Sequence, residues 1–139
     1  MDAIIPYLNF NGNASEALAF YSKVFDGKVI YQQSFGDAPM DIPPGYKDKV
    51  LHAMFQAGNL QFMVSDCMPN QPVTGGTNVS LSLNCPTVED IEKKFSAMAE
   101  GANVTMALND TFWGARFGML TDKYGINWMF NHDYEKKHK

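Results

Sequence analysis

Residues 109–131 read NDTFWGARFGMLTDKYGINWMFN, and this stretch decides the fold. Two apolar runs, Arg116–Thr121 and Ile126–Asn131, flank the polar tetrad Asp122-Lys123-Tyr124-Gly125. Asp opening a reversal and Gly closing it suit a tight turn between paired strands. An earlier stretch has the same plan: Val50–Ala57, a turn at Gly58-Asn59, then Leu60–Ser65. Leu60-Gln61-Phe62-Met63-Val64 matches Ile126-Asn127-Trp128-Met129-Phe130 class by class: aliphatic, amide, aromatic, Met, apolar. The offset, from position 60 to position 126, is 66 residues. One unit is written twice, and function is expected between the copies.

Working outward, Ala3–Phe10 reads as a short strand that Pro6 marks as an edge or bulge. Asn13 with Glu16 three residues on predicts a capping box opening a helix. That helix buries Ala17, Leu18, Tyr21, Val24 and Phe25 on one stripe and ends at Gly27. Lys28–Phe35 is a second strand, and Gly36–Lys49 a loop long enough to serve as a lid or dimer contact. Asp66–Thr77, rich in Pro and Gly, is the boundary between modules. In the second copy, Asn78–Asn84 alternates Val79, Leu81 and Leu83 against serines, which predicts a strand with one buried face. Thr87 caps a helix whose buried stripe is Val88, Ile91, Phe95 and Met98, closed by Gly101. Asn103–Leu108 leads back into the opening stretch. The order is strand, helix, three strands, performed twice. The fold class is therefore α+β: one domain over 1–139, made of module 1 (about 1–68), module 2 (about 77–132) and a tail at 133–139.

Composition narrows the function classes. At 45% hydrophobic and 19% charged, the chain has the make-up of a folded domain. A net charge of −4 and a single basic run, Lys136-Lys137-His138-Lys139, argue against nucleic acid as a partner. No apolar run reaches the roughly 18 residues of a membrane span, and the acidic start Met1-Asp2-Ala3 is unlike a signal peptide, so a cytoplasmic location is expected. Cys67 and Cys85 are read as ordinary unpaired thiols. Glycine-rich phosphate loops, HExxH, paired CxxC and GxSxG are all missing from the sequence.

The βαβββ duplication resembles the vicinal oxygen chelate superfamily of glyoxalase I, bleomycin-resistance proteins and extradiol dioxygenases. Within it, the chain is similar to the PhnB-like branch, often labelled by similarity to 3-demethylubiquinone methyltransferases. The residues that carry this include Pro6-Tyr7-Leu8, Met63-Val64-Ser65-Asp66-Cys67-Met68-Pro69, Asp110-Thr111-Phe112-Trp113-Gly114 and Thr121–Trp128. The resemblance implies two βαβββ modules forming a cupped mixed sheet, helices outside, and a homodimer. It also implies a divalent metal held by His and Glu on the first and last strands of each module. Those positions fall near Ile5 or Pro6, near Asn78, and on Met63 and Met129, with no Glu or His within one residue. Aliphatic, amide and thioether groups do not hold such a metal. No metal and no cofactor are therefore expected. The methyltransferase label is not expected to describe this chain, since no glycine-rich first turn of a doubly wound sheet is present.

The polar groups that remain are few. His52, on Val50–Ala57, is the candidate catalytic base or hydrogen-bond donor, against a reading in which backbone satisfies its ring. Asp66 is a candidate anchor for a cationic or hydroxyl group, against a plain loop-stabilising role. Trp113 and Arg116 beside Gly114 are candidates to floor a pocket for a flat or anionic ligand, with Phe35 and Phe117 as further ligand-binding candidates that also suit the core. Three functions stay open. The first is a protein that sequesters a small apolar or aromatic molecule in the cup. The second is an enzyme using His52, metal-free or with an unconventional metal. The third is a dimer whose cup is filled by its own side chains.

Overall fold

The structure, a computed structural model, describes residues 2–134 of the 139. Met1 and the basic run Lys136–Lys139 lie outside the described residues. The first unit runs β1 (Tyr7–Phe10), α1 (Ala14–Phe25), β2 (Lys28–Ser34), a 3-10 turn (Phe35–Asp37), β3 (Val50–Ala57) and β4 (Leu60–Asp66). The second runs β5 (Leu81–Asn84), α2 (Val88–Met98), β6 (Asn103–Asp110), β7 (Ala115–Thr121) and β8 (Asn127–Asp133). The chain divides between Thr74 and Gly75. Each unit holds one four-stranded mixed sheet, ordered β1-β4-β3-β2 and β5-β8-β7-β6. The first and last strands of each unit pair in parallel, and the remaining pairs are antiparallel. This is the α+β, twice-βαβββ architecture that the hairpin repeat predicts.

Each sheet lays one face against its own helix. In the first unit Tyr21 of α1 meets Phe62 edge-on at 5.5 Å, and Phe62 stacks on Phe55 at 4.8 Å. The predicted stripe of α1, Ala17 through Phe25, is buried throughout. Burying each such aromatic stabilises the unit by roughly 1.5–3 kcal/mol. In the second unit Phe95 of α2 meets Phe130 edge-on at 5.2 Å. Gly118 lets the helix come that close, since a Cβ there would stand 2.8 Å from the Phe95 ring.

Local expectations fail at several places. Asn13 begins α1, but its side chain makes no cap hydrogen bond. Asp66 does the work from β4, as described below. The left-handed residue ending α1 is Asp26, at φ 54°, and not Gly27. Gly27 is required for space instead, because a Cβ there would lie 2.6 Å from the Phe55 ring and 2.7 Å from the Gln56 carbonyl. β5 begins only at Leu81, leaving Val79 exposed, and Val88 at the first turn of α2 is also exposed. The last strand runs on to Asp133, a residue the sequence placed in the tail. The cap of α2 is as expected: Thr87 Oγ1 accepts from the Asp90 N–H at 2.9 Å.

Candidate functional site

Successive strand residues point to opposite faces of a sheet. In the first unit Ala53, Phe55, Phe62 and Val64 face α1, so His52, Met54, Met63 and Ser65 face away from it. Strand register sets those residues in rows. One row crosses the whole sheet as Tyr7–Met63–Met54–Tyr31. One step along, Asn9 lies opposite Ser65, and His52 opposite Gln33. A third row pairs Gln61 with Gln56 and Gln56 with Lys28. These rows hold thioethers, phenols and amides, with one imidazole, one ammonium and no carboxylate. Such a surface suits a flat, polarisable, uncharged molecule.

His52 sits where the two tyrosines converge. Its Nδ1 lies 3.0 Å from the Tyr7 hydroxyl, and both the Tyr7 and Tyr31 rings stand 5.7 Å from its own. The bond is to a side chain and not to backbone. The Tyr31 hydroxyl donates to Gln33 Oε1, which fixes the second ring. Tyr7 and Tyr31 were not among the site residues expected from the sequence. The available signal was period-two spacing after Pro6 for Tyr7. For Tyr31 there was none, because a bulge between Val29 and Tyr31 shifts the strand's register.

Asp66 has a different part. It is buried, and its Oδ1 accepts the Gly12 and Ala14 N–H groups at 3.0 and 2.9 Å. Its Oδ2 accepts the Val50 N–H at 2.9 Å. The carboxylate thus caps α1 and ties β3 to β4, which is the loop-stabilising alternative rather than a ligand anchor. Phe35 is also buried, packed 5.2 Å from Tyr46, and belongs to the core of its unit. Burial pushes the Tyr46 phenol above its ordinary range.

In the second unit Asp122 repeats the pattern of Asp66. Its Oδ1 accepts from the Tyr124 and Ile126 N–H groups, and its Oδ2 from the Trp128 indole at 2.8 Å. The face away from α2 carries a matching row, Ser82–Met129–Met119–Met106, and beside it Asn84–Asn131–Phe117–Asn109. Trp113 is exposed on a turn organised by Thr111 and touches Phe117 edge-on at 6.0 Å. Arg116, next to Phe117 in the strand, lies on the opposite face. It donates to Glu92 of α2 at 2.6 Å and to Asp110 at 3.1 Å. Trp113 and Arg116 therefore do not floor one pocket. The Tyr134 hydroxyl and Arg116 both donate to Asp110 and hold its carboxyl below the usual carboxylate range. The Glu92 carboxylate raises the guanidinium in turn. His132 Nδ1 lies 2.8 Å from the Cys85 carbonyl. Burial, then the neighbouring Asp90, pushes the Cys85 thiol up to about 11.

At the strand positions where the resemblance puts the superfamily's divalent metal, the side chains are neither carboxylates nor imidazoles. Register places Tyr7 opposite Met63 and Ser82 opposite Met129, a few residues along from Ile5 or Pro6 and from Asn78. Phenol, hydroxyl and thioether replace the carboxylates and imidazoles such a metal takes. Among the described residues no group of three or more His, Cys, Asp and Glu could hold a metal ion. No described helix is long and apolar enough to cross a membrane.

Known proteins share this arrangement. The sequence model of the family described as 3-demethylubiquinone-9 3-methyltransferase matches residues 2–130. Protein YjdN of Escherichia coli (strain K12) is 32% identical over 136 residues, spanning 91% of this chain and 92% of its own. The crystal structure of protein PA1353 from Pseudomonas aeruginosa superposes with a TM-score of 0.86 at 41% identity, over 96% of this chain and 98% of that one. The Bacillus cereus protein named as a PhnB protein and 3-demethylubiquinone-9 3-methyltransferase gives 0.80 at 30% identity, over 94% and 99%. A glyoxylase/bleomycin resistance protein/dioxygenase domain from Frankia sp. EAN1pec shares the fold at 13% identity and a TM-score of 0.71, over 99% and 96%. With its twofold βαβββ plan, the chain belongs to the PhnB-like family described as 3-demethylubiquinone-9 3-methyltransferase, and it shares its fold with glyoxalase/bleomycin-resistance/dioxygenase proteins.

Proposed function

We propose that this chain is a small-molecule binding protein that takes up a flat apolar or aromatic compound without the superfamily's divalent metal. The observation that carries this reading is the row Tyr7–Met63–Met54–Tyr31, two thioethers between two phenols on the face turned from α1. Unbranched thioethers adapt to varied ring shapes, and the phenols supply edges and hydroxyls. The unsuitable donor set at Tyr7, Met63, Ser82 and Met129 supports the metal-free part. Methyl transfer, though named in the family's description, is not part of the reading. Neither four-stranded mixed sheet is the doubly wound sheet with a glycine-rich first turn that the common methyltransferases use. The protein works as a homodimer in the cytoplasm on this reading.

A second reading, chemistry at His52, draws support from the 3.0 Å contact between its ring and the Tyr7 hydroxyl. Native mass spectrometry of protein expressed in metal-supplemented medium, followed by thermal-shift measurements with uncharged, cationic and anionic aromatics, tests the first. A metal-free dimer stabilised by the uncharged set is expected. A stoichiometric metal, or no shift with any compound, overturns it.

A further inference from the structure

We infer that His52 and Tyr7 form a hydrogen-bond donor site for an uncharged aromatic ligand bearing a carbonyl-type oxygen, an aryl ketone or a quinone. The inference rests on the binding reading above and names the ligand's chemistry.

Donor and acceptor strength at this contact assign the proton to one imidazole nitrogen. Tyr7 O–H and His52 Nδ1 are 3.0 Å apart, and one of the two must donate. A neutral imidazole nitrogen is a far stronger acceptor than a phenol oxygen, and a phenol is the better donor. Tyr7 therefore donates to Nδ1, and the neutral ring carries its hydrogen on Nε2. Among the described residues Nε2 has no partner, yet no buried side-chain nitrogen or oxygen goes unpartnered. Nε2–H is thus open to solvent on the face away from α1. In this tautomer His52 has no free lone pair to act as a base. It is a donor seeking an oxygen.

The surroundings select the rest of the ligand. Tyr31 stands 5.7 Å from the imidazole on one side and Tyr7 on the other, with Met54 and Met63 between the two phenols in the adjoining row. An aromatic body can lie across those thioethers with its oxygen at Nε2. The three rows hold no carboxylate to meet a cation, and the ammonium they carry, Lys28, lies in the row beyond Met54. An uncharged acceptor is the ligand that fits.

His132 provides a contrast within the molecule. Its Nδ1 faces a carbonyl, which can only accept, so that ring carries its hydrogen on Nδ1. The two histidines are held in opposite tautomers, and nitrogen-15 correlation spectra of the neutral rings distinguish them. His52 is expected as the Nε2–H form, with Nδ1–H appearing in Tyr7→Phe, while His132 stays Nδ1–H in both. A predominantly Nδ1–H His52 in the unsubstituted protein overturns the inference.

Fluorenone and fluorene, alike but for one carbonyl oxygen, test the ligand class by calorimetry. The protein is expected to prefer fluorenone by roughly three- to tenfold, the worth of one net hydrogen bond. His52→Phe is expected to lose that preference while still binding fluorene, which also reports that the variant is folded. Equal affinities in the unsubstituted protein, or a preference that survives His52→Phe, overturn the donor site and leave the binding reading standing. Binding of neither compound overturns both.

Discussion

The two units carry the same strands in the same order, and the same Met–Met pair stands at the centre of each sheet: Met54 opposite Met63, Met119 opposite Met129. Around that pair they diverge. Where the first unit has Tyr7, His52 and Tyr31, the second has Ser82, Phe117 and Met106 at the corresponding places. A shared scaffold has kept polarisable centres in both copies and placed phenols and an imidazole around them in one. The buried aspartates diverge in the opposite sense. Asp66 and Asp122 use their two oxygens alike, each Oδ1 taking two backbone N–H groups and each Oδ2 a third donor. Their reach differs. Asp66 draws together groups 54, 52 and 16 residues away, whereas these three Asp122 bonds span two to six residues.

The largest effect is expected from breaking Asp66. Asp66→Ala leaves three backbone N–H groups without acceptors, two of the three bonds being fully buried, at a cost on the order of 4 kcal/mol by urea unfolding. Asp66→Asn is expected to recover little of this. An amide has one acceptor oxygen, so its NH2 must face either the Val50 N–H or the pair at the start of α1. A loss under about 1 kcal/mol for the alanine variant would show that water replaces the carboxylate and that the cap is incidental. Asp122→Asn meets the same donor conflict, but its third donor is a side chain. Trp128→Phe removes that indole, so the double variant is expected to lose less than the sum of the two single ones. Strict additivity would break the parallel between the two aspartates.

These reaches also mark what was legible in the sequence. The hairpins, the duplication and the stripe of α1 follow from local periodicity and turn residues, and they stand within a residue or two of the expected bounds. The cap of α1 did not follow, because its acceptor lies 52 residues from Ala14 and Asn13 occupied the usual place. Trp113 and Arg116, three letters apart, were grouped as one pocket floor, but Trp113 packs on Phe117 while alternation along β7 turns Arg116 to the other face, where it meets Glu92 of α2. His52 was legible as a residue. Its partner was not, since Tyr7 lies 45 residues away and reaches it through parallel pairing of β1 with β4, which leaves no hairpin signal.

The cysteines give a smaller contrast of the same kind. Cys67, half-buried, donates to Asn11 Oδ1 at 3.2 Å in the first unit, while Cys85 is buried in the second. With the Cys85 thiol pushed up to about 11, maleimide labelling at mildly alkaline pH is expected to modify Cys67 first, by roughly tenfold or more in rate. A thiol whose folded pKa is raised contributes stability below its ordinary value and loses it as pH climbs through the folded one. Stability should therefore fall between about pH 9 and 11, and Cys85→Ala should flatten that fall. Equal labelling rates would show that the thiol is reached by solvent.

The smallest effect is expected at Arg116, and its smallness is informative. The guanidinium is paired with Glu92 and Asp110, whose side chains are 45% and 64% exposed, and ion pairs so open to water contribute little. Arg116→Met should move the urea midpoint by no more than an ordinary surface substitution, within about 0.5 kcal/mol. The Asp110 carboxyl, held low by Tyr134 and Arg116, contributes stability above its ordinary pKa that is lost as pH falls through the depressed value. The difference between Arg116→Met and the unsubstituted protein should accordingly shrink in acid. Since Arg116 lies on the α2 side of its sheet and the donor site on the other unit, the variant should keep the full preference for fluorenone over fluorene. If Arg116→Met instead abolishes the binding of both compounds, the binding surface includes the second unit, and the division of chemistry between the copies fails.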